Sequence, residues 1–417
     1  MVSKQFKQIA FVGIQIFFVN TVFCHFTYKK PSIAKKLDII IDLIKSNDKS
    51  NVRSHLSDYT LTNNNIKKSV KFFVKSNVTQ SKDKLIVDDI PKVNFFHYSG
   101  SRLYFVRNQH GNLISVVKIF NNPFNNKGLF LRNLVGFKIG THISAKHFQI
   151  IRCQSVGRCV VDGEEYGMIA MSPASGIEIQ KLIVDLLHQP RNSQKRISML
   201  QTIQKAMEKL GNALAELHQL HIRHNVLLDH SIIKNSHSLF ANMIHLLKDN
   251  DYGIDSEKLR SYFNFLIQKI QSVKLNATVS HGDAQLGNFL YDQYDNTVYM
   301  IDLESMDNSV SRKNGHSIGN GAVDFMEVVE LINMNKKFGL STKEADALTQ
   351  SFYQGYGNLP TELEQEFFLL LYRLKFATLF LPLFQKNFNR TDLPEIRIIL
   401  LQELQELAES ANKYNLS

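Results

Sequence analysis

Apolar positions along this chain follow two periods. Between residues 93 and 171 they come in short runs of β-branched and aromatic side chains. Residues 103–106 and 113–120 are two such runs around Asn108-Gln109-His110-Gly111-Asn112, a short glycine-containing loop that predicts a β-hairpin. A basic stretch over 131–148 reads as a helix, and 167–171 reads as a further strand stopped by Ser172-Pro173. After Gly176 the period lengthens. Ile203, Met207, Leu210, Leu214 and Leu217 alternate steps of four and three, which is one face of an amphipathic helix. Helical patterns recur near 256–273, 322–334, 362–381 and 395–411. The order predicts an α+β chain with a strand-rich part over 91–173 and a larger, mainly helical part over 174–417; no internal repeat is visible.

The first 90 residues differ from both. Residues 9–23 are mostly apolar, with Lys4 and Lys7 before them and Lys29 and Lys30 after. A membrane span needs about 20 apolar residues, and Gln15 and Asn20 interrupt this run. Residues 1–24 therefore read as a signal peptide or as an uncleaved membrane anchor, with contact to a membrane through that segment; otherwise the chain reads as cytoplasmic. Residues 25–90 are rich in Lys, Asn and Ser, with one amphipathic helix over 34–44. They read as a basic linker or accessory helical segment.

At 417 residues and 44% hydrophobic content the chain can bury a sizeable core. Its net charge of +11 is uneven: residues 1–90 carry +8, residues 91–161 carry +10 with no acidic residue, and the remainder carries −7. That asymmetry suits a polyanion on one side and a polar or cationic acceptor on the other, but charge alone favours the plainer reading of a basic tail on a soluble domain. No nucleic-acid partner is expected, and oligomeric state is not legible. Cys24, Cys153 and Cys159 have no metal-ligand spacing and are too few for a disulfide scaffold. Cys153 and Cys159 read as two buried thiols or, were the chain exported and cut after Cys24, as one disulfide.

The chemistry is concentrated in His281-Gly282-Asp283-Ala284-Gln285-Leu286-Gly287-Asn288, followed by the apolar run Val298-Tyr299-Met300-Ile301 and then Asp302-Leu303-Glu304. This resembles the catalytic and metal-binding segment of the aminoglycoside phosphotransferase, choline kinase and homoserine kinase superfamily, a branch of the protein-kinase-like fold. The resemblance implies a bilobal fold with a small β-rich N-lobe and a larger helical C-lobe. It implies ATP or GTP with Mg²⁺ as cofactors and a small molecule bearing a hydroxyl as acceptor. Phosphoryl transfer asks mainly for positioning and charge neutralisation. By the resemblance, Asp283 orients the acceptor hydroxyl and takes its proton, and Asn288 and Asp302 hold Mg²⁺ through oxygen atoms suited to a hard cation. His281 braces the loop, and Glu304 is an outer support or a peripheral metal contact.

Upstream, Lys118 in Ser115-Val116-Val117-Lys118-Ile119-Phe120 resembles the lysine that grips the nucleotide phosphates. In a strand it shares a face with Val116 and Phe120. Gly100 and Ser101 stand where the family places its phosphate-covering loop, and Met171 where it places the hinge that meets adenine through backbone groups. Residues 210–218 resemble the helix before the catalytic loop, and Asp324 in 319–325 resembles the carboxylate that braces it. The resemblance covers about residues 93–385 and is specific around 281–304. It has one gap. The family pairs its lysine with a glutamate on the following helix, yet no Asp or Glu occurs between Lys118 and Asp162. The lysine is therefore held differently, or receives an acid from elsewhere such as Glu164 or Glu165, or works weakly.

The competing readings are a pseudokinase-like binding module, favoured by that gap, and a metal-dependent phosphoesterase. The latter needs several His/Asp ligand motifs along the chain, and none is found.

Overall fold

The computed structural model describes residues 31–58, 65–79, 84–89, 101–125, 128–249, 252–311, 316–386 and 393–416. The signal-peptide or anchor segment and Gly100 lie outside them. No helix among the described residues is long and apolar enough to cross a membrane. The described residues divide into two compact units, one made of those up to Val184 with Gly287–Asp307, the other of those from Asp185 to Leu286 and from Asn308 onward.

The first unit is built on a six-stranded sheet ordered β1-β6-β7-β4-β3-β2. Its strands are β1 (Ser57–Asp58), β2 (Ile86–Asp89), β3 (Ser101–Arg107), β4 (Leu113–Asn121), β6 (Cys153–Val161) and β7 (Glu164–Met171). The expected hairpin is β3–β4, with Leu103 opposite Lys118. Its loop is closed by Asn108, whose side-chain oxygen accepts from the N–H groups of His110 and Asn112, and by Gly111 at φ +83°, a left-handed turn position that suits glycine.

Residues of the basic N-terminal stretch form three helices in this unit: α1 (Pro31–Lys45), α2 (Lys49–His55) and α3 (Ile66–Asn77). Val70, Phe73 and Val74 of α3 bury themselves against Tyr104, Val106, Val117, Ile119, Met168 and Ala170. Alternation along β4 thus sends Val117 and Ile119 to the α3 side and leaves Val116, Lys118 and Phe120 on the other face. That face meets α4 (Leu129–Thr141), with Phe120 and Phe130 edge to face at 5.5 Å.

Helix α4 is shorter than its pattern predicts. It stops at Thr141, where the His142 N–H folds back onto the carbonyls of Ile139 and Gly140. Residues 148–150 instead become β5 (Phe148–Ile150), paired in parallel with β12 (Thr297–Met300). A ladder partner is a stronger determinant of a short apolar run than its local propensity. The resulting four-stranded sheet runs β5-β12-β11-β8, with β8 (Ile177–Glu178) and β11 (Phe289–Asp292) completing it. Gly176, at φ +101°, lets the chain cross Tyr291 where a Cβ would lie 2.5 Å from its carbonyl oxygen.

Cys153 and Cys159 are buried free thiols on one strand, and burial pushes the first up to about 12 and the second to about 11. Six residues of extended chain hold them roughly 20 Å apart, far beyond disulfide reach.

Helix α5 (Ile179–Leu187) carries the chain out of this unit. The second unit is helical: α6 (Gln194–Gln219), α7 (His230–Asp249), α8 (Ser256–Ser272), α9 (Ala322–Lys337), α10 (Thr342–Tyr356), α11 (Glu362–Lys386) and α12 (Leu393–Lys413), with the strand pair β9 (Arg223–Leu227) and β10 (Lys274–Ala277). The α6 stripe of Ile203, Met207, Leu210, Leu214 and Leu217 is fully buried, as its spacing predicts. Helices start where capping side chains stand. Ser193 caps α6, Asp255 caps α8, and Ser341 with Glu344 forms a capping box on α10. Glycines set the closest approach, since a Cβ at Gly211 would lie 2.3 Å from the Phe352 carbonyl oxygen and one at Gly355 would lie 1.9 Å from that of Glu208. The α+β class read from the sequence is the class of the structure.

Candidate active site

The candidate residues fall in both units. In the strand-rich unit, Lys118 points away from the α3 core with its stem against Phe120; its Nζ lies 5.6 Å from the centre of that ring. Residues 303–309 form a short 3-10 helix after β12, and this turn brings two carboxylates to the lysine. Lys118 Nζ donates to Asp302 Oδ1 at 2.9 Å and to Glu304 Oε2 at 3.2 Å. Burial alone would lower the lysine, but the charges of Asp302 and Glu304 outweigh it and hold its ammonium above the ordinary lysine value.

Asp302 has φ +57°, a left-handed conformation uncommon for a residue with a side chain but accessible to Asp. It stands two residues past the end of β12 and keeps a partly exposed carboxylate. Asn288 lies at the same end of the β11–β12 ladder, its carbonyl accepting from the Ile301 N–H at 3.0 Å. One hairpin end therefore carries both oxygen-bearing candidates for a metal.

The sequence raised the question of how Lys118 is held without a helix glutamate. Glu164 and Glu165 are not the answer: Glu165 pairs with Arg53 and Arg158, and Glu164 lies at the exposed start of β7. The carboxylate comes from Glu304, and the residue on the helix is Asn133. Its side-chain nitrogen donates to Glu304 Oε2 at 2.7 Å and to the Leu129 carbonyl at 2.9 Å, and its oxygen accepts from Lys118 Nζ at 3.4 Å. Sequence reasoning passed over Asn133. Its one signal was an uncharged polar side chain among the apolar residues and glycine of the helix's buried face.

Ser101 begins β3, buried and paired with Phe120. Met171 ends β7, and its carbonyl accepts from the Ser115 hydroxyl at 3.0 Å. The next residue, Ser172, donates its N–H to the Arg152 carbonyl.

In the helical unit, the His281-Gly282-Asp283 turn is fixed by Asp324 on α9. Asp324 Oδ2 accepts from the His281 N–H at 2.6 Å and Oδ1 from the Gly282 N–H at 2.7 Å. Gly282 turns the chain at φ +77°. Asp324 is itself held by His218 from α6, Nε2 to Oδ2 at 2.9 Å, while His218 Nδ1 meets the Tyr356 hydroxyl at 2.8 Å. Gly321 admits the imidazole, since a Cβ there would lie 2.6 Å from its Nδ1. Burial raises Asp324, yet the His218 hydrogen bond and charge, the His281 charge and the Gly282 N–H together hold its carboxyl below the ordinary value. Asp324 thus has the bracing place that the resemblance implied for it.

Asp283 follows this braced turn. Its Oδ1 accepts from the Gln285 side chain at 3.1 Å and lies 3.7 Å from Lys375 Nζ of α11. Lys375 also lies 3.9 Å from Glu327, whose other oxygen accepts from the Ala284 N–H at 2.8 Å. Burial pushes the Glu327 carboxyl up to about 7, with Lys375 opposing and Asp283 adding to the rise. Neither Glu327 nor Lys375 carries a local sequence signal, because only the packing of α9 and α11 brings them to the loop. Among the described residues, no group of three or more His, Cys, Asp or Glu side chains is arranged to hold a metal by itself.

No protein-family model matches the chain, and no curated protein does. Solved structures similar to it include an assigned aminoglycoside phosphotransferase from Ralstonia eutropha JMP134, at 12% identity over 83% of this chain and 96% of that one, with a TM-score of 0.49. A thermostable mutant of an aminoglycoside phosphotransferase in its apo form shares 12% identity over 82% and 98%, with a TM-score of 0.49. A glucosamine kinase in complex with glucosamine, ADP and inorganic phosphate shares 10% identity over 79% and 82%, with a TM-score of 0.43.

Proposed function

We propose that the protein is a phosphotransferase that moves the γ-phosphate of ATP, or of GTP, to a hydroxyl group of a small polar molecule. The observation that carries this reading is the 2.9 Å contact between Lys118 and Asp302, residues far apart in sequence that the resemblance assigns to one metal nucleotide. A buried ammonium beside a part-exposed carboxylate, with the Asn288 amide at the same hairpin end, is a donor set suited to a polyphosphate and a hard cation. Lys118 would neutralise the α and β phosphates, and Asn288 and Asp302 would hold Mg²⁺. That ion, when bound, supplies charge neutralisation on the phosphate oxygens.

Asp283 supplies the proton chemistry. Its carboxylate accepts the acceptor hydroxyl's hydrogen bond, orients the oxygen and takes its proton as transfer proceeds. The turn fixed by Asp324 and His218 keeps it in one place, which is where most of the catalytic advantage in this chemistry lies. The alternative, a binding module that keeps the fold without catalysis, drew its support from the absent helix glutamate. The Glu304 carboxylate beside Lys118 weakens that support.

The test is transfer itself. The wild type, incubated with γ-labelled ATP, Mg²⁺ and a small-molecule extract, should yield a labelled, phosphatase-sensitive product. Asp283→Asn should lower that yield by about 10²–10⁴-fold, the usual contribution of a positioned base, while ATP affinity stays nearly unchanged. ATP binding with no transfer to any hydroxyl compound would favour the binding module.

A further inference from the structure

We infer that Glu304, held in place by Asn133, is the positioning residue that aims Lys118 at the nucleotide phosphates, in the place of the missing helix glutamate. The inference rests on the nucleotide site proposed above and goes beyond it, since it gives Glu304 a task on the lysine and not on a metal.

Three observations carry it. First, the carboxylate and the amide form a closed triangle with the ammonium: Lys118 to Glu304 at 3.2 Å, Asn133 to Glu304 at 2.7 Å and Lys118 to Asn133 at 3.4 Å. The amide is oriented by the Leu129 carbonyl, which takes its second N–H at 2.9 Å. Its oxygen is thereby left facing the lysine. Second, Asn133 is almost fully buried, 2% exposed, on a helix whose other buried residues are apolar or glycine. A buried amide needs partners to offset its desolvation, and the two it finds across the unit are Lys118 and Glu304. Third, the backbone is built for this contact. Gly136, one turn along the same face of α4 as Asn133, abuts Leu303: a Cβ there would lie 2.1 Å from the Leu303 carbonyl oxygen. Gly140 continues that face against the Leu303 side chain and Ile150. The helix approaches the turn after Asp302 at backbone distance, and this places Asn133 within reach of Glu304.

The physical consequence is a division of labour. Asp302 is the carboxylate available to a metal, and a lysine held by Asp302 alone would lose its partner when that carboxylate turned to a cation. Glu304 stays with the lysine, kept there by the Asn133 N–H, so the ammonium retains one fixed anion. A helix glutamate does this work with one residue, whereas here it is split between a carboxylate from the metal-binding turn and an amide from the helix.

An isosteric charge transfer tests it. Glu304→Gln removes the anion without changing shape, and Asn133→Asp combined with Glu304→Gln returns a carboxylate to the oxygen that already faces Lys118. Two readouts are taken, with thermal melting as the control for folding. One is the rate at which an amine-acylating reagent labels Lys118 in the ligand-free protein, followed by mass spectrometry. The other is ADP affinity in excess EDTA, where no metal role of Glu304 can contribute.

Glu304→Gln should be labelled at Lys118 several-fold faster and should bind metal-free ADP about tenfold more weakly, the worth of one charge-assisted contact. The double variant should return both towards the wild type. An unchanged labelling rate and ADP affinity in Glu304→Gln would overturn the inference, as would a double variant no better than the single. A wild type that binds no ADP with or without Mg²⁺ would sink the phosphotransferase reading instead, and the labelling comparison would still decide whether Glu304 holds the lysine.

Discussion

His218 Nε2 lies 2.9 Å from Asp324 Oδ2, and that same oxygen accepts the His281 N–H at 2.6 Å. A side chain of α6 and the backbone of the Asp283 turn therefore share one buried anion. Asp324→Ala leaves the imidazole and two N–H groups without it, and should cost about 3–5 kcal/mol, the range for breaking a buried ionic network. Urea unfolding measures this, and amide exchange at His281 and Gly282 should accelerate beyond the global loss. Because the folded Asp324 carboxyl lies below its ordinary value, its stabilising share is present above about pH 4 and fades as pH falls further.

Arg196 and Glu344 give a second acid-sensitive contact. Arg196 donates to both Glu344 oxygens, at 2.6 and 2.9 Å, and these hydrogen bonds hold Glu344 down at about 2. The unfolded value is about 4.3, so the folded state gains stability above that pH and loses it as pH falls towards 2. Glu344→Gln should flatten the fall in urea midpoint below about pH 5 and lower stability at neutral pH by about 1–3 kcal/mol, the worth of a charged hydrogen bond. Parallel pH profiles for the two proteins would contradict this.

Glu327 works with the opposite sign. Its folded value of about 7 exceeds the unfolded value, near 4.3, so the folded state binds the extra proton between them. Stability from this group therefore falls as pH rises from about 4 to about 7. Glu327→Gln keeps an oxygen for the Ala284 N–H and should remove that decline, read as a smaller difference in urea midpoint between pH 5 and pH 8.

Gly355 tests the packing of α6 against α10. A methyl group there would meet the Glu208 carbonyl oxygen at 1.9 Å, so the helices must separate. Gly355→Ala should destabilise the protein by roughly 1–3 kcal/mol despite its better helix propensity, seen as a lower melting temperature. A stabilised variant would mean that the two helices are free to move apart.

Much of this was legible in the sequence, and the unread part has physical reasons. The α6 stripe and the β3–β4 hairpin follow from periodicity and turn residues, which act within a few positions. The face of Lys118 follows from strand alternation. Helix α4 is shorter than its sequence pattern because Phe148 is claimed by a parallel ladder with β12, a partner distant in sequence. Asn133, Glu327 and Lys375 were missed for the same reason: each acquires its role from a residue on another element. The acid for Lys118 is neither Glu164 nor Glu165 but Glu304, brought by a 3-10 turn after Asp302 that no local pattern announces.

The central claim is a metal-nucleotide site on Lys118, Asn288 and Asp302, and calorimetry of ATP binding with and without Mg²⁺ tests it most directly. The wild type should bind ATP more tightly with Mg²⁺ than without, and Asp302→Ala should lose that difference while still folding cooperatively. Absence of binding by ATP and GTP under either condition, or an Mg²⁺ effect unchanged in Asp302→Ala, would contradict the account.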